Sequence, residues 1–205
     1  MKRKFIFLLS PVFLLIFVAL GSQAQANLLT NGNFNTGDFT GWWTWVDEPA
    51  NTSAEVQSTY NYDGTYNAKL SSWNTAWPTN GPVAVGQTFD FTGGADYSLS
   101  FVYSTQWTDW GTADYLIKYY DAGWTELVDY EWDTLFYQEA GPTDWVSVYL
   151  EFTTPATTAH VDVQFRAYDW ADAVYFDDVV VIPEPATLIL LGVGSLVVLR
   201  RRKKA

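Results

Sequence analysis

Residues 161–168 read VDVQFRAY, and their two phases separate cleanly. Val161, Val163, Phe165 and Ala167 fall on one side of an extended chain, and Asp162, Gln164, Arg166 and Tyr168 on the other. Such period-two alternation marks a strand with one buried face and one wet face. The same phase recurs on both sides of this stretch. YSLSFVYS (97–104) sets Tyr97, Leu99, Phe101 and Tyr103 against a face made mostly of serine, and WVSVYLEF (145–152) gathers Val146, Val148, Leu150 and Phe152. DYLIKYY (114–120) and VYFDDVVVI (174–182) read as further strands. Gly, Pro, Asp and Asn punctuate the gaps, and no amphipathic helical period intervenes. The reading places strands near 28–34, 53–57, 65–71, 82–91, 97–104, 114–120, 125–130, 145–152, 160–167 and 174–182. An all-β fold is expected, an antiparallel two-sheet sandwich.

The segment 27–182 is a comfortable length for one domain with its own core. Within it only Lys69, Lys118 and Arg166 are basic, against 22 acids, a formal charge of −19. Phosphate neutralisation needs Lys and Arg, so nucleic acid is excluded as a partner. The chain has no cysteine, which removes thiol catalysis, thiolate metal sites and disulfides, and its single His160 rules out a multi-histidine metal site. All 11 tryptophans lie in this segment, more than one small core readily absorbs.

Both ends of the chain differ from the middle. Lys2, Arg3 and Lys4 precede the apolar run Phe5 to Leu20, and Ala24-Gln25-Ala26 follows as a small-x-small cleavage pattern. Residues 1–26 therefore read as a secretory signal peptide with an N-terminal signal helix, and the mature chain begins near Asn27. At the other end stand Pro183, Glu184 and Pro185, then an apolar run from Ala186 to Leu199, then Arg200 to Lys204. Fourteen helical residues rise about 21 Å, short of a hydrocarbon core of roughly 30 Å. Two prolines and a carboxylate block extension of that helix toward the domain. The basic tail predicts a cytoplasmic C-terminus on a transmembrane helix. Two readings stay open for 183–205: a membrane anchor, or a label that an enzyme reads and removes.

PEPATL, a short apolar run and a terminal basic cluster resemble the PEP-CTERM sorting signal of Gram-negative bacteria. The resemblance implies an exosortase as partner, with Pro183, Glu184 and Pro185 as its recognition residues. It also implies an inner-membrane-anchored precursor, then delivery to the cell surface or into extracellular polysaccharide.

A second resemblance runs through NLLTNGNFNTGDFTGWW (27–43), DGTYNAKLSS (63–72), GQTFDFTGGADYSLSFVYS (86–104) and VYFDDVVV (174–181). In order these blocks are similar to the jelly-roll carbohydrate-binding modules of the galactose-binding-like fold. That family often holds a structural Ca²⁺ between its first and last strands. Carried onto this chain, the ligands are Asn33, Asn35, Lys69 through its backbone carbonyl, and Asp177. Asn35 departs from the family's usual glutamate, and an uncharged amide oxygen binds Ca²⁺ more weakly.

If every strand reverses direction, successive loops alternate between two ends of the sandwich. One end then collects 35–52, 72–81, 105–113, 131–144 and 168–173, and with them nine of the eleven tryptophans. Trp42, Trp43, Trp107, Trp110, Trp132 and Trp170 are the expected ligand-contacting residues, since indole faces flanked by Asp, Asn and Gln suit sugar rings. Both chain termini fall at the opposite end. The leading function is a non-catalytic, exported polysaccharide-binding domain. A structural or adhesive matrix protein that binds other proteins is the alternative. A glycan-degrading enzyme is a further one, but no motif fixes a catalytic carboxylate pair.

Overall fold

The computed structural model describes residues 26–47, 50–63, 65–73, 82–105, 111–139, 141–169, 171 and 173–184. Ala24 of the signal-peptide cleavage pattern, the signal helix, Pro185 and the C-terminal transmembrane helix lie outside the described residues. Ten strands appear in chain order. They are β1 (Trp43–Val46), β2 (Thr52–Gln57), β3 (Asn67–Ser72), β4 (Val83–Asp90), β5 (Asp96–Thr105), β6 (Gly111–Tyr120), β7 (Glu126–Glu139), β8 (Val146–Thr153), β9 (His160–Asp169) and β10 (Val174–Pro183). They form two five-stranded antiparallel sheets, β1-β4-β9-β6-β7 and β2-β3-β10-β5-β8. The chain crosses repeatedly between the sheets, which is the jelly-roll arrangement.

The apolar phase read from 161–168 is the inward face of β9. Val161, Val163, Phe165 and Ala167 are fully buried there. Phe165 meets the second sheet directly, stacked on Phe176 of β10 at 4.6 Å and edge-on to Phe101 of β5 at 4.8 Å. Leu70, Leu99, Val83, Val85 and Ile117 fill the space around these rings.

The expected first strand, 28–34, is broken into turns. Asn31 and Phe34 adopt left-handed φ of 54° and 52°, and a Cβ on Gly32 would sit 2.0 Å from the Val179 carbonyl oxygen. So tight an approach, between two left-handed residues, leaves no room for a continuous ladder. The segment still lies along β10, through Leu28 N–H to Val181 O at 2.9 Å and Val179 N–H to Gly32 O at 2.9 Å. Two further departures concern the strands that flank the first sheet. WTWV forms the short edge strand β1, and β7 continues to Glu139 where a loop was expected from 131.

The alternation of ends holds among the described connections. Ser72 N–H bonds Ala171 O, Trp73 N–H bonds Asn51 O, and Thr105 N–H bonds Pro142 O, all at one end. At the opposite end Glu184 N–H bonds Asp96 O, and the segment beginning at Asn27 lies beside Val181. The compact sandwich unit runs Asn27–Glu184, two residues beyond the expected boundary at 182.

Candidate functional site

The outward phase of β9 is the floor of the site. Across the first sheet, Arg166 lies between Ala84 and Asp114, Gln164 between Gly86 and Leu116, and Asp162 between Thr88 and Lys118. The rows end on Trp43 and Trp45 of β1, opposite Gly86 and Ala84. At the other edge they end on Tyr130 and Trp132 of β7, opposite Lys118 and Leu116. Aromatic side chains thus stand on both margins of a polar floor. Four interstrand steps separate the margins, about 19 Å at 4.7–4.9 Å per step.

Local sequence fixes each margin. A Cβ at position 86 would lie 2.3 Å from Cζ2 of Trp43, so glycine is what lets the indole lie across β4. Its Nε1–H then donates to Asp162 Oδ1 at 3.0 Å. Asp162 also accepts from the Thr88 hydroxyl at 3.1 Å and from the Gln164 amide at 2.6 Å. It is only 5% exposed. Burial pushes its carboxyl above the usual carboxylate range, against the opposing donation of Gln164, Trp43 and Thr88 and the charge of Lys118. On the other margin Trp132 stays 54% exposed above Leu116. Leu116, Lys118, Glu126, Tyr130, Trp132 and Arg166 line an open, shallow pocket of about 330 Å³ beside it.

The charges on the floor are satisfied internally. Arg166 holds Asp114 in a fork, Nε to Oδ1 at 2.6 Å and Nη2 to Oδ2 at 2.9 Å, and the Tyr168 hydroxyl donates to Oδ2 at 2.9 Å. Burial alone would lower the guanidinium pKa, but hydrogen bonding and the charge of Asp114 outweigh it and raise it. Lys118 Nζ lies 3.1 Å from Glu126 Oε2. Lys69, on the second sheet, pairs with Glu55 at 2.8 Å. Every lysine and arginine of the sandwich is therefore already bound to a carboxylate.

The expected contact residues divide. Trp43 and Trp132 are on this face. Trp42 is not: at 7% exposure it packs 5.2 Å from Phe34 and 6.3 Å from Phe165, a core residue rather than a ligand platform. Trp107, Trp110 and Trp170 lie outside the described residues, although the strand ends flanking them meet at one end of the sandwich. Trp45, 58% exposed, joins the margin although it was not singled out. The floor residues Asp114, Lys118, Asp162, Gln164, Arg166 and Tyr168 were also missed. Their signal was the polar phase of β6 and β9, visible in the sequence but assigned to plain solvent.

For the expected cation ligands, Asp177 is wholly buried. Its Oδ1 accepts from the Asp178 N–H at 2.7 Å, while Oδ2 has no hydrogen-bond partner. Desolvation first, then the charges of Asp178 and Asp63, outweigh the backbone N–H groups of Asp178 and Tyr62 and push its carboxyl up to about 7. Lys69 stands opposite Tyr175 on β10, two residues before Asp177. Asn33 and Asn35 sit exposed in the turn that reaches β10 through the Gly32–Val179 bond. Among the described residues no three acidic or histidine side chains converge as a metal cluster.

A sheet face with aromatic margins and a hydrogen-bonding floor is a sugar-binding architecture, and the family comparison agrees. The chain belongs to the family described as carbohydrate binding domain, whose model matches residues 26–172. A second match, a PEP-CTERM protein-sorting motif, covers residues 181–203. No curated protein matches the chain. Among solved structures, the enzymatically active domain of tailspike protein 4 from bacteriophage CBA120 is 14% identical with a TM-score of 0.63. That match covers 77% of this chain and 21% of the tailspike domain, so the chain spans about a fifth of that protein. A xylan-binding domain from family 22 of the carbohydrate-binding modules is 19% identical, covering 77% of this chain and 96% of its own at a TM-score of 0.54. TmCBM61, in complex with β-1,4-galactotriose, is 18% identical, covering 78% of this chain and 99% of its own at a TM-score of 0.51. At these identities the likeness concerns the fold.

Proposed function

We propose that this is an exported, non-catalytic polysaccharide-binding protein whose ligand lies across the outer face of the first sheet. The single observation that carries the reading is the pairing of aromatic margins, Trp43 and Trp45 against Tyr130 and Trp132, with a floor of oriented polar groups. Indole and phenol faces stack on the C–H faces of sugar rings while Gln164, Arg166 and Tyr168 present polar atoms to hydroxyls. The two floor carboxylates suit positioning rather than proton transfer, because Asp114 is bound by Arg166 and Asp162 by three donors. With each cation already paired, the ligand is a neutral glycan. Isothermal titration against xylan, β-1,4-galactan and mixed-linkage glucan tests the reading. Binding to at least one of them, weakened about tenfold in Trp132→Ala, is expected, and no binding to any glycan refutes it.

The sorting motif supports an exosortase as the processing partner, acting on a membrane-anchored precursor that ends at the cell surface or in extracellular matrix. We further infer a structural Ca²⁺ at Asp177, on the support of its unpaired oxygen. A buried carboxylate oxygen without a donor is a vacant oxygen ligand, and the nearby turn carbonyls, Asn33, Asn35 and the Lys69 carbonyl are hard oxygen donors of the right kind. The cation would replace the missing donor and neutralise the charge that burial disfavours.

A further inference from the structure

The sorting motif begins inside the folded sandwich. Strand β10 does not stop at the last apolar residue: Ile182 pairs with Ser98, Pro183 pairs with Tyr97, and Glu184 N–H donates to the Asp96 carbonyl at 2.8 Å. Pro183 and Glu184 are both only partly exposed. Pro183 is therefore the last strand residue of the domain and Glu184 is bonded to it just beyond the strand, whereas a separate, extended signal was expected from 183.

An enzyme that reads a short peptide engages it extended, through the backbone groups and side chains that a neighbouring strand otherwise occupies. The Glu184 N–H cannot serve Asp96 and an enzyme together. Peeling of the strand end is limited by a clamp one residue further in. Val181 pairs with Leu99 on one side, and on the other it exchanges bonds with the N-terminal segment, Leu28 N–H to Val181 O at 2.9 Å and Val181 N–H to Asn27 Oδ1 at 2.9 Å. The segment able to open without disturbing the sandwich is thus Ile182 to Glu184. Pro183 brings no N–H of its own, so this last stretch is held by few donors and opens locally, well below the free energy of global unfolding.

We propose that strand pairing and processing compete for Pro183 and Glu184, so that the folded domain gates removal of its own anchor. The step gated is peptide-bond cleavage: water adds to the acyl carbon, and the amine of the next residue leaves carrying a proton. Cleavage then proceeds through the fraction of molecules in which the end of β10 has peeled from β5.

The test follows precursor and product by pulse-chase in a host that carries the processing enzyme, using the full chain. A six-residue Gly-Ser spacer between Ile182 and Pro183 keeps the motif intact but moves it off the strand. Conversion is expected to be about tenfold faster, the factor that one or two net hydrogen bonds are worth. The converse variant is Ser98→Cys with Ile182→Cys, placed opposite one another in a chain that otherwise has no cysteine. Oxidised, it should convert more slowly than wild type, and reductant should restore the rate. Equal rates for wild type and spacer chain, or a rate indifferent to the cross-link, overturn the competition. Residues 183–205 fused to an unrelated soluble domain serve as control. If that fusion also stays unprocessed, the sorting reading fails instead.

Discussion

Gly86 decides where the indole of Trp43 rests, because any side chain there would occupy the ring's place 2.3 Å away. Gly86→Ala should therefore push the indole off β4 and away from Asp162, and its Cβ, 2.9 Å from the Val163 carbonyl oxygen, should also strain the β4–β9 ladder. We expect glycan affinity to fall about tenfold in titration, near 1.4 kcal/mol, together with a lower melting temperature. Trp132→Ala should weaken binding by about 1–2 kcal/mol with the melting temperature kept, because its ring is exposed and central to the opposite margin. Asp177 makes the contrasting case, a residue that matters for stability. In metal-free protein its native carboxyl holds a proton up to about 7, whereas the unfolded chain releases it near the ordinary aspartate value. The native state binds more protons in that window, so stability falls as pH rises from about 4 to about 7 and is level above it. Millimolar calcium should abolish the fall, and at a hundredfold excess over Kd add about 2.7 kcal/mol. Asp177→Asn should flatten the profile and make melting indifferent to chelator. Identical wild-type melting curves at pH 7 with and without chelator would remove the ion.

Strand β9 shows how much of the site its own sequence discloses. Its two phases were legible because eight residues alternate without exception, and both faces are where the alternation puts them. Phe165→Ala should cost about 3–5 kcal/mol of stability in urea melts, since the ring bridges the two sheets. Gln164→Ala, one position away, takes a donor from buried Asp162 and should cost less, about 1–3 kcal/mol, while also lowering glycan affinity. What alternation could not disclose was which outward face stays open. β1 escaped notice because four residues carry too short a pattern. β7 beyond Tyr130 escaped because Glu131 and Asp133, flanking Trp132, read as a loop; on an edge strand both faces of that stretch are solvated. The segment 28–34 misled for the opposite reason. Its apolar residues Leu29 and Phe34 are buried as a strand's would be, but Asn31 and Gly32 turn the backbone between them. Trp42 was placed on a loop surface because adjacent tryptophans look alike in sequence, whereas one of the pair faces inward and the other outward.

Charge governs the choice of ligand for the sandwich as a unit. A formal −19 over residues 27–182, with all three cations in ion pairs, leaves no free positive group for a uronate or sulfate, and repels both at long range. Binding to neutral glycan should change less than twofold between 20 and 500 mM NaCl, and alginate or polygalacturonate should not bind at any salt. Glu126→Gln frees Lys118 at the surface and should bring a weak, salt-sensitive affinity for the acidic polymers. Affinity of the wild-type domain for polygalacturonate at low salt would contradict the pairing argument. The position of β10 has a further consequence, a mechanical one. Any tension applied through Glu184 while the first sheet grips a polysaccharide runs lengthwise along β10, which is bonded to β3 on one side and β5 on the other. Beyond the short peel to Val181, its ladders are loaded in shear, many bonds sharing the force at once, so a pull from the tether end meets the stiff direction of the sandwich.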